Sequence, residues 1–123
     1  MSQGKILVVD DSQLMLEVTR EALEAEGFEV LSASSMEDLE GLYDQEGLRL
    51  ILMDVQMPEL FGDDVAMVLR SVRGVNIPIY LFSNLPKEEL EERSKEAQID
   101  GYLSKRDGIE AAVERIKDIL KTS

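Results

Sequence analysis

Three carboxylates follow two short apolar runs of the chain. Ile6–Val9 is followed by Asp10 and Asp11, and Leu50–Met53 is followed by Asp54. Carboxylates that are brought together repel one another, and burial raises their pKa further, unless a cation lies between them. The sequence contains neither His nor Cys, so the ligands are oxygens and the hard cation Mg²⁺ is favoured. The pattern predicts a magnesium site formed by Asp54, by Asp10 or Asp11, and by a loop carbonyl.

Two further polar side chains follow later apolar runs. Ser83 comes after Ile79–Phe82 and supplies a hydroxyl, and Lys105 follows a short run and supplies an ammonium group. Lysine is a common phosphate ligand, and a carboxylate can act as a nucleophile. The set therefore suits phosphoryl transfer, with an aspartyl phosphate on Asp54. Mg²⁺, Ser83 and Lys105 would stabilise charge on the transferring oxygens.

These side chains can meet only if the apolar runs form neighbouring strands. Leu50–Met53 is continuously apolar, which is typical of parallel strands that helices cover on both faces. Five such runs alternate with five helical segments, which predicts an α/β fold with right-handed crossovers. We expect a flavodoxin-like (βα)5 three-layer sandwich with a five-stranded parallel sheet in the order 2-1-3-4-5. That order brings the carboxyl ends of the strands to one edge, where open α/β sheets bind ligands.

Helical spacing of apolar residues predicts the segments between the strands. The expected helices run from a cap at Asp11 or Ser12 to about residue 26, from Ser34 and Ser35 to Gly47, from Asp63 and Asp64 onward, over about 86–97, and from Ile109 onward. Their expected inward faces include Leu14 in the first helix, Leu42 and Tyr43 in the second, and Val68 and Val72 in the third. The fifth helix has the clearest apolar stripe, which consists of Ile109, Ala112, Val113, Ile116, Ile119 and Leu120. The fourth helix is densely charged, and we expect a solvated face with i,i+4 ion pairs.

The composition excludes several classes of function. The 123 residues suit one domain, 1–123, and 13 basic against 26 acidic residues give a net charge of −13. This charge argues against direct binding to nucleic acid or to an anionic membrane surface. No apolar run approaches membrane-spanning length, so membrane insertion is not expected. The absence of Cys and of a signal peptide favours a cytoplasmic location.

The order and spacing of the polar residues resemble the receiver domain of two-component response regulators. The matching segments are Val8–Ser12, Asp54–Pro58 with Gly62, Phe82 and Ser83, and Tyr102–Lys105. The resemblance extends from about residue 4 to 121, and the combination is specific although each segment alone is common. It implies a phosphorylation-dependent signalling switch. The phosphoryl group would come from a phosphohistidine on a sensor histidine kinase or a histidine phosphotransfer protein.

The resemblance implies that Asp54 is the phosphoacceptor. Asp10, Asp11 and Asp54 would bind Mg²⁺ together with the backbone carbonyl of Gln56. Such a domain promotes its own phosphorylation and dephosphorylation but has no separate turnover substrate, so it is not expected to be an enzyme.

Three further residues match the positions that transmit the signal in this family. Ser83 would move to meet the phosphoryl group, Tyr102 would change rotamer with that move, and Lys105 would bind the phosphate. The result would be a population shift on the face formed by the fourth helix, fifth strand and fifth helix. A downstream protein target would recognise this face. A phosphorylation-dependent dimer is a further possible partner state of the domain.

Two positions depart from the usual family pattern. Residue 84 is normally very small, and Asn84 is expected to slow phosphotransfer or make it more selective. The lysine is often followed by a proline with a cis peptide bond, but here Arg106 follows it. A non-proline cis bond costs about 2.5–4 kcal/mol, so we predict a trans bond between Lys105 and Arg106.

Other functions remain open on the sequence alone. A constitutive interaction module of the same fold would leave the acid pocket unused, although the complete set of polar residues argues against it. A magnesium-dependent phosphatase with an aspartyl nucleophile would need a second acid two positions after Asp54, where Gln56 stands. A flavin-binding role is weaker, because acids rather than a phosphate-binding loop follow the first strand.

Overall fold

The computed structural model describes residues 3–121, so positions 1–2 and 122–123 of the predicted domain lie outside the described residues. The strands are β1 (Lys5–Val9), β2 (Glu29–Ala33), β3 (Leu48–Met53), β4 (Ile79–Ser83) and β5 (Gly101–Ser104). All neighbouring strands are parallel, and the order across the sheet is β2-β1-β3-β4-β5. The predicted fold class and strand order are confirmed.

Helices cover both faces of the sheet. They are α1 (Gln13–Glu24), α2 (Met36–Leu39), α3 (Gly62–Ser71), α4 (Lys87–Glu96) and α5 (Ile109–Lys121), with a short 3-10 turn at Lys105–Asp107. Successive side chains of a strand point to opposite faces. Ile6 and Val8 of β1 therefore pack in the core beneath α1 and α5, whereas Leu7 and Val9 pack in the core beneath α2, α3 and α4.

The first helix begins where the sequence predicts. The Ser12 hydroxyl accepts a hydrogen bond from the backbone N–H of Met15 at 3.2 Å and caps α1. Leu16 and Leu23 are buried, but Leu14 is 69% exposed, so the prediction of Leu14 on the inward face is wrong. At about 100° per residue, Leu14 lies on the side of α1 opposite Leu16, and Leu16 together with Leu23 defines the face that meets the sheet.

The second helix is much shorter than predicted. It ends at Leu39, because Glu40 adopts extended backbone angles (φ −60°, ψ 130°) and Gly41 has a positive φ of 82°. Glycine enters this left-handed region at little cost, and a helix cannot continue through it. The predicted helix as far as Gly47 is therefore wrong, although Leu42 and Tyr43 still pack partly buried against the core.

The third helix buries a narrower face than predicted. Val65, Ala66 and Leu69 are buried, whereas Val68 and Val72 are exposed, so the prediction for these two valines is wrong. The inward face is centred near Ala66 and Leu69, which leaves Val68 and Val72 at its margin.

The last two helices agree with the sequence. The exposed side of α4 carries the ion pairs Arg93–Glu89 (2.9 Å) and Lys95–Glu91 (3.7 Å), both at i,i+4 spacing. In α5, the predicted apolar stripe is buried, with Ile116 at its centre. Among residues 3–121, no helix combines the length and hydrophobicity that crossing a membrane would require.

Candidate functional site

The pairing of β1 with β3 brings two acids to the same level of the sheet edge. Val9 and Met53 are partners in this ladder, so Asp10 and Asp54 leave the two strands side by side. The backbone N–H of Asp54 donates to the Val9 carbonyl at 2.9 Å, and that of Asp10 donates to the Ala33 carbonyl at 3.0 Å. The main chain therefore holds both acids rigidly at the carboxyl edge.

Three carboxylates converge at this edge. One oxygen each from Asp10, Asp11 and Asp54 lies within 4.8 Å of the others. Asp10 and Asp54 are buried and Asp11 is exposed, so the cluster opens to solvent on the side of Asp11. Asp10 Oδ1 also accepts the backbone N–H of Ser12 at 2.9 Å, which orients its carboxylate.

Lys105 reaches the acids from the end of β5. Its Nζ lies 2.5 Å from Asp10 Oδ2 and 3.6 Å from Asp54 Oδ2, and its side chain is only 6% exposed. The ammonium also lies 5.6 Å from the centre of the Phe82 ring. A single cation faces three carboxylates, so the site has an excess of negative charge when all three are ionised.

The environment of Asp54 favours its protonated form. Burial is the largest cause that raises the pKa of this carboxyl, and the charges of Asp10 and Asp11 act in the same direction. Lys105 and the backbone N–H of Gln56 act in the opposite direction and lower the pKa. Burial and repulsion outweigh these two contacts, and the net result is a pKa of about 6 for Asp54.

The donor set fits a hard divalent cation. Within residues 3–121, this is the one group of three or more acids close enough to share an ion. Carboxylate oxygens with a deficit of positive charge suit Mg²⁺, which keeps several waters and needs few protein ligands. Gln56 lies next to the cluster, since its N–H contacts Asp54 and its backbone forms an isolated bridge with Phe61.

The loop after Asp54 is folded tightly against the site. The backbone N–H of Gly62 donates to the Val55 carbonyl at 2.8 Å. A Cβ at Gly62 would lie 1.7 Å from the Asp54 carbonyl oxygen, so no other residue fits there without movement of the backbone. The sequence marks Gly62 as a turn residue and as part of the family pattern, but this close approach is visible only in three dimensions.

Ser83 and Tyr102 form no hydrogen bond with the three acids within the described residues. Ser83 is fully buried at the end of β4, and its hydroxyl accepts the N–H of Leu85 at 3.4 Å. Ser83 pairs with Ser104 in the sheet, one residue before Lys105. No hydrogen bond joins Ser83 to the acids or to Lys105 within the described residues. Tyr102 is partly buried and lines a groove between α4 and α5.

The two unusual positions, Asn84 and Arg106, contact each other. Arg106 Nε donates to the backbone carbonyl of Asn84 at 2.7 Å, and a second link joins Lys87 to Asp107 at 3.0 Å. The bond between Lys105 and Arg106 is trans, as predicted, since no peptide bond among the described residues is cis. Local spacing carries no signal for a contact between residues 22 positions apart.

Comparison with known proteins agrees with this geometry. The model of the response regulator receiver domain matches residues 6–117. The polar-differentiation response regulator DivK of Brucella ovis is 28% identical over 116 residues, which cover 94% of each chain.

Solved structures show the same fold. A CheY-like response regulator receiver domain protein from Methanospirillum hungatei superimposes with a TM-score of 0.82 at 26% identity, over 98% of this chain and 96% of that chain. The receiver domain of the Francisella response regulator 1452 has a TM-score of 0.85 at 24% identity, over 98% of both chains, and supports the fold alone. The chain therefore belongs to the family of response regulator receiver domains, the signalling modules of two-component systems.

Proposed function

We propose that this receiver domain is a cytoplasmic switch in which Asp54 accepts a phosphoryl group from a phosphohistidine. The donor would be a sensor histidine kinase or a histidine phosphotransfer protein. The observation that carries this proposal is the convergence of three carboxylate oxygens within 4.8 Å, with Lys105 in contact with two of the acids. Membership of the receiver family, whose domains take part in phosphorylation-dependent signalling, supports it.

The proposed reaction transfers a phosphoryl group from an imidazole nitrogen of the partner to a carboxylate oxygen of Asp54. An oxygen of Asp54 attacks the phosphorus, a P–O bond forms, and the P–N bond breaks. The bonding pair returns to the partner's imidazole, which leaves as a neutral ring once it is protonated. In the second half of the cycle, water attacks the phosphorus and the P–O bond to Asp54 breaks. Inorganic phosphate leaves with the oxygen of the water, whose protons go to the phosphate and to solvent, and the carboxylate is regenerated. Both steps act on the domain itself, so there is no separate turnover substrate.

The metal ligands in this proposal are Asp10, Asp11, Asp54 and the backbone carbonyl of Gln56. A bound Mg²⁺ would neutralise charge on the acids and on the phosphoryl oxygens. Lys105 is already positioned to neutralise charge on the phosphoryl oxygens. Its Nζ lies 3.6 Å from Asp54 Oδ2, so it can pair with an oxygen of a group attached there. The pair with Asp10 keeps the long side chain ordered before the reaction.

The proposed signal leaves the site through Ser83 and Tyr102. The hydroxyl of Ser83 has only a long contact of 3.4 Å to the Leu85 N–H, so little energy holds it in its present position. A new acceptor on Asp54 would draw the hydroxyl inward and with it the loop that leads to α4. Tyr102, on the groove between α4 and α5, would change rotamer in response. A downstream protein would then bind the altered face of α4, β5 and α5.

The test is the intact mass of the protein after incubation with acetyl phosphate and Mg²⁺. Wild type should gain the mass of one phosphoryl group, and a chelator should abolish the gain. Asp54→Asn should gain nothing, whereas Asp44→Asn, at an exposed acid outside the site, should behave as wild type. Peptide mapping should assign the phosphoryl group to Asp54.

Two results would contradict the proposal in different ways. A phosphoryl group on another residue would overturn the role of Asp54. Failure to gain mass from acetyl phosphate or from a phosphorylated histidine phosphotransfer protein, together with failure to bind Mg²⁺, would favour a constitutive interaction module that leaves the acid pocket unused.

A further inference from the structure

The exposed apolar side chains are concentrated in one short segment. Among the described residues, the large hydrophobic side chains with high exposure are Leu14, Leu60, Phe61, Met67, Val68 and Val72. All except Leu14 lie between residues 60 and 72, on α3 and the loop before it. Single exposed apolar residues are ordinary, but a cluster of this kind marks an interaction site.

This segment forms one wall of a groove between α2 and α3, which we call the α2–α3 groove. Its volume is about 480 Å³, and its lining includes Leu39, Met57, Leu60, Val65, Val68 and Leu69. At the other wall of the groove, α2 ends at Leu39 and the chain turns at Gly41, which has a positive φ.

The charged groups around the groove are mostly acidic. Glu40, Glu59 and Asp64 line it, and Arg73 is the one basic residue among its described lining. Arg73 is already engaged, at 3.6 Å from Glu40 and 3.1 Å from the Tyr43 hydroxyl. Glu59 and Asp64 form no ion pair within residues 3–121. The rim therefore offers two free carboxylates beside an apolar floor.

The charge distribution selects among possible occupants. A second copy of this chain would bring another net charge of −13 to an acidic rim, and the two copies would repel each other. An anionic membrane would be repelled for the same reason. An amphipathic helix with apolar residues on one face and Lys or Arg on its flanks complements both the floor and the rim.

We propose that the α2–α3 groove is a docking site for a basic amphipathic helix of a partner protein. Apolar residues at i, i+4 spacing would fill the space above Leu39 and Val68, and basic residues beside them would pair with Glu59 and Asp64. This surface lies on the opposite side of α4 from the groove that contains Tyr102, so one domain could engage two partners. The inference stands on the α2–α3 groove alone and does not depend on phosphorylation of Asp54.

The test is a selection from a displayed library of helical peptides of about 16 residues, roughly 24 Å long. Peptides are enriched on wild type and depleted on Val68→Asp, which places a charge on the wall of the groove. Enriched sequences should combine apolar i, i+4 pairs with flanking Lys or Arg. Because Val68 is exposed, Val68→Asp should fold normally, and its circular dichroism spectrum checks this.

The affinity of an enriched peptide is then measured on matched variants. Val68→Asp should weaken binding by about tenfold or more, and Asp64→Lys should weaken it severalfold. Leu14→Asp, at the exposed apolar residue outside the groove, should bind as wild type does. Binding should weaken as salt is raised from about 0.05 to 0.5 M. Backbone NMR shifts on peptide addition should fall on residues 36–43 and 57–73, which line the groove.

Several outcomes would overturn the proposal. The library could yield no peptide that prefers wild type over Val68→Asp, or enriched peptides could lack basic residues and ignore Asp64→Lys. NMR shifts confined to α4, β5 and α5 would assign binding to the other face. If sedimentation shows a dimer that Val68→Asp disrupts, the occupant of the groove is a second copy of this chain. If wild type binds anionic vesicles and Val68→Asp does not, the occupant is a membrane.

Discussion

The acid site and the α2–α3 groove depart from ordinary burial in opposite directions. At the site, Asp10 and Asp54 are charged groups that are buried. At the groove, Leu60 and Val68 are apolar groups that are exposed. Both departures leave free energy available for a ligand, since a buried acid gains from a cation and an exposed valine gains from an apolar partner.

The two regions differ in how the chain builds them. The site needs side chains from β1, β3 and β5 together with the loop after Asp54, so it exists only when the whole sheet is formed. The groove is lined mainly by side chains of α2, of α3 and of the loop before α3, and several of them are exposed. Substitutions should therefore have coupled effects at the site and small, independent effects at the groove.

Two glycines offer the strongest test of this contrast. A methyl group at Gly62 would lie 1.7 Å from the Asp54 carbonyl oxygen, whereas one at Gly41 meets no atom within 4 Å. We expect Gly62→Ala to lower the free energy of unfolding by more than about 3 kcal/mol, because backbone must move. Gly41→Ala should cost only about 1 kcal/mol, from its positive φ. Urea denaturation measures both.

Equal losses of unfolding free energy at the two glycines would contradict the contrast, since the site would then be no more constrained than the groove. An increase in helix content of Gly41→Ala, measured by circular dichroism, would strengthen the contrast. That result would mean that α2 had extended toward its predicted length and narrowed the groove.

Removing the charge of Asp54 should stabilise the domain without metal. Burial raises the pKa of this carboxyl from its ordinary 3.8 to about 6, which corresponds to at most about 3 kcal/mol. Because the folded form has the higher pKa, the stability that protonated Asp54 provides is complete below about pH 4 and is lost as the pH rises through 6. Asp54→Asn should therefore exceed wild type in stability at pH 7.5 and match it near pH 4.

Chemical denaturation across this pH range, with a chelator present, measures the difference. Adding Mg²⁺ at pH 7.5 should then stabilise wild type more than Asp54→Asn, because the ion neutralises the crowded acids. A difference in the free energy of unfolding between the two proteins that does not change with pH would contradict this prediction. It would mean that ionisation of Asp54 does not destabilise the folded domain.

The smallest expected effects lie at the mouth of the site, where Arg106 contacts the Asn84 carbonyl. Asn84→Ala keeps this backbone contact but removes side-chain bulk, so we expect severalfold faster phosphorylation by acetyl phosphate and faster dephosphorylation. Arg106→Leu removes the contact, and should change the free energy of unfolding by only about 0.5 kcal/mol because both groups are exposed. Mass-resolved time courses compare the rates, and unchanged rates in Asn84→Ala would contradict the role of its side chain.

Local sequence was sufficient for most of the framework. The continuously apolar runs predicted the strands, the cap at Ser12 predicted the start of α1, and the stripe through Ile116 predicted the buried face of α5. The prediction failed at Leu14 and at Val68 and Val72. Helical periodicity identifies several apolar positions, but the neighbouring elements decide which of them become buried. Helix α2 begins next to Ser35, as predicted, and the Ser35 side chain caps it. It ends before Gly41, whereas the prediction extended it to Gly47.

The sequence by itself determined which chemical groups were available: acids, one lysine and one serine at strand ends, with no His or Cys. It also reduced the strand order to a few alternatives, because strands and helices alternate with right-handed crossovers, and the predicted order 2-1-3-4-5 is the one observed. Three contacts were decided only by the tertiary structure. Lys105 forms a salt bridge with Asp10, the Gly62 backbone lies close to the Asp54 carbonyl, and Arg106 donates a hydrogen bond to the Asn84 carbonyl. These contacts join residues that are distant along the chain. Their distances depend on how β1, β3 and β5 pack together, which no local pattern contains.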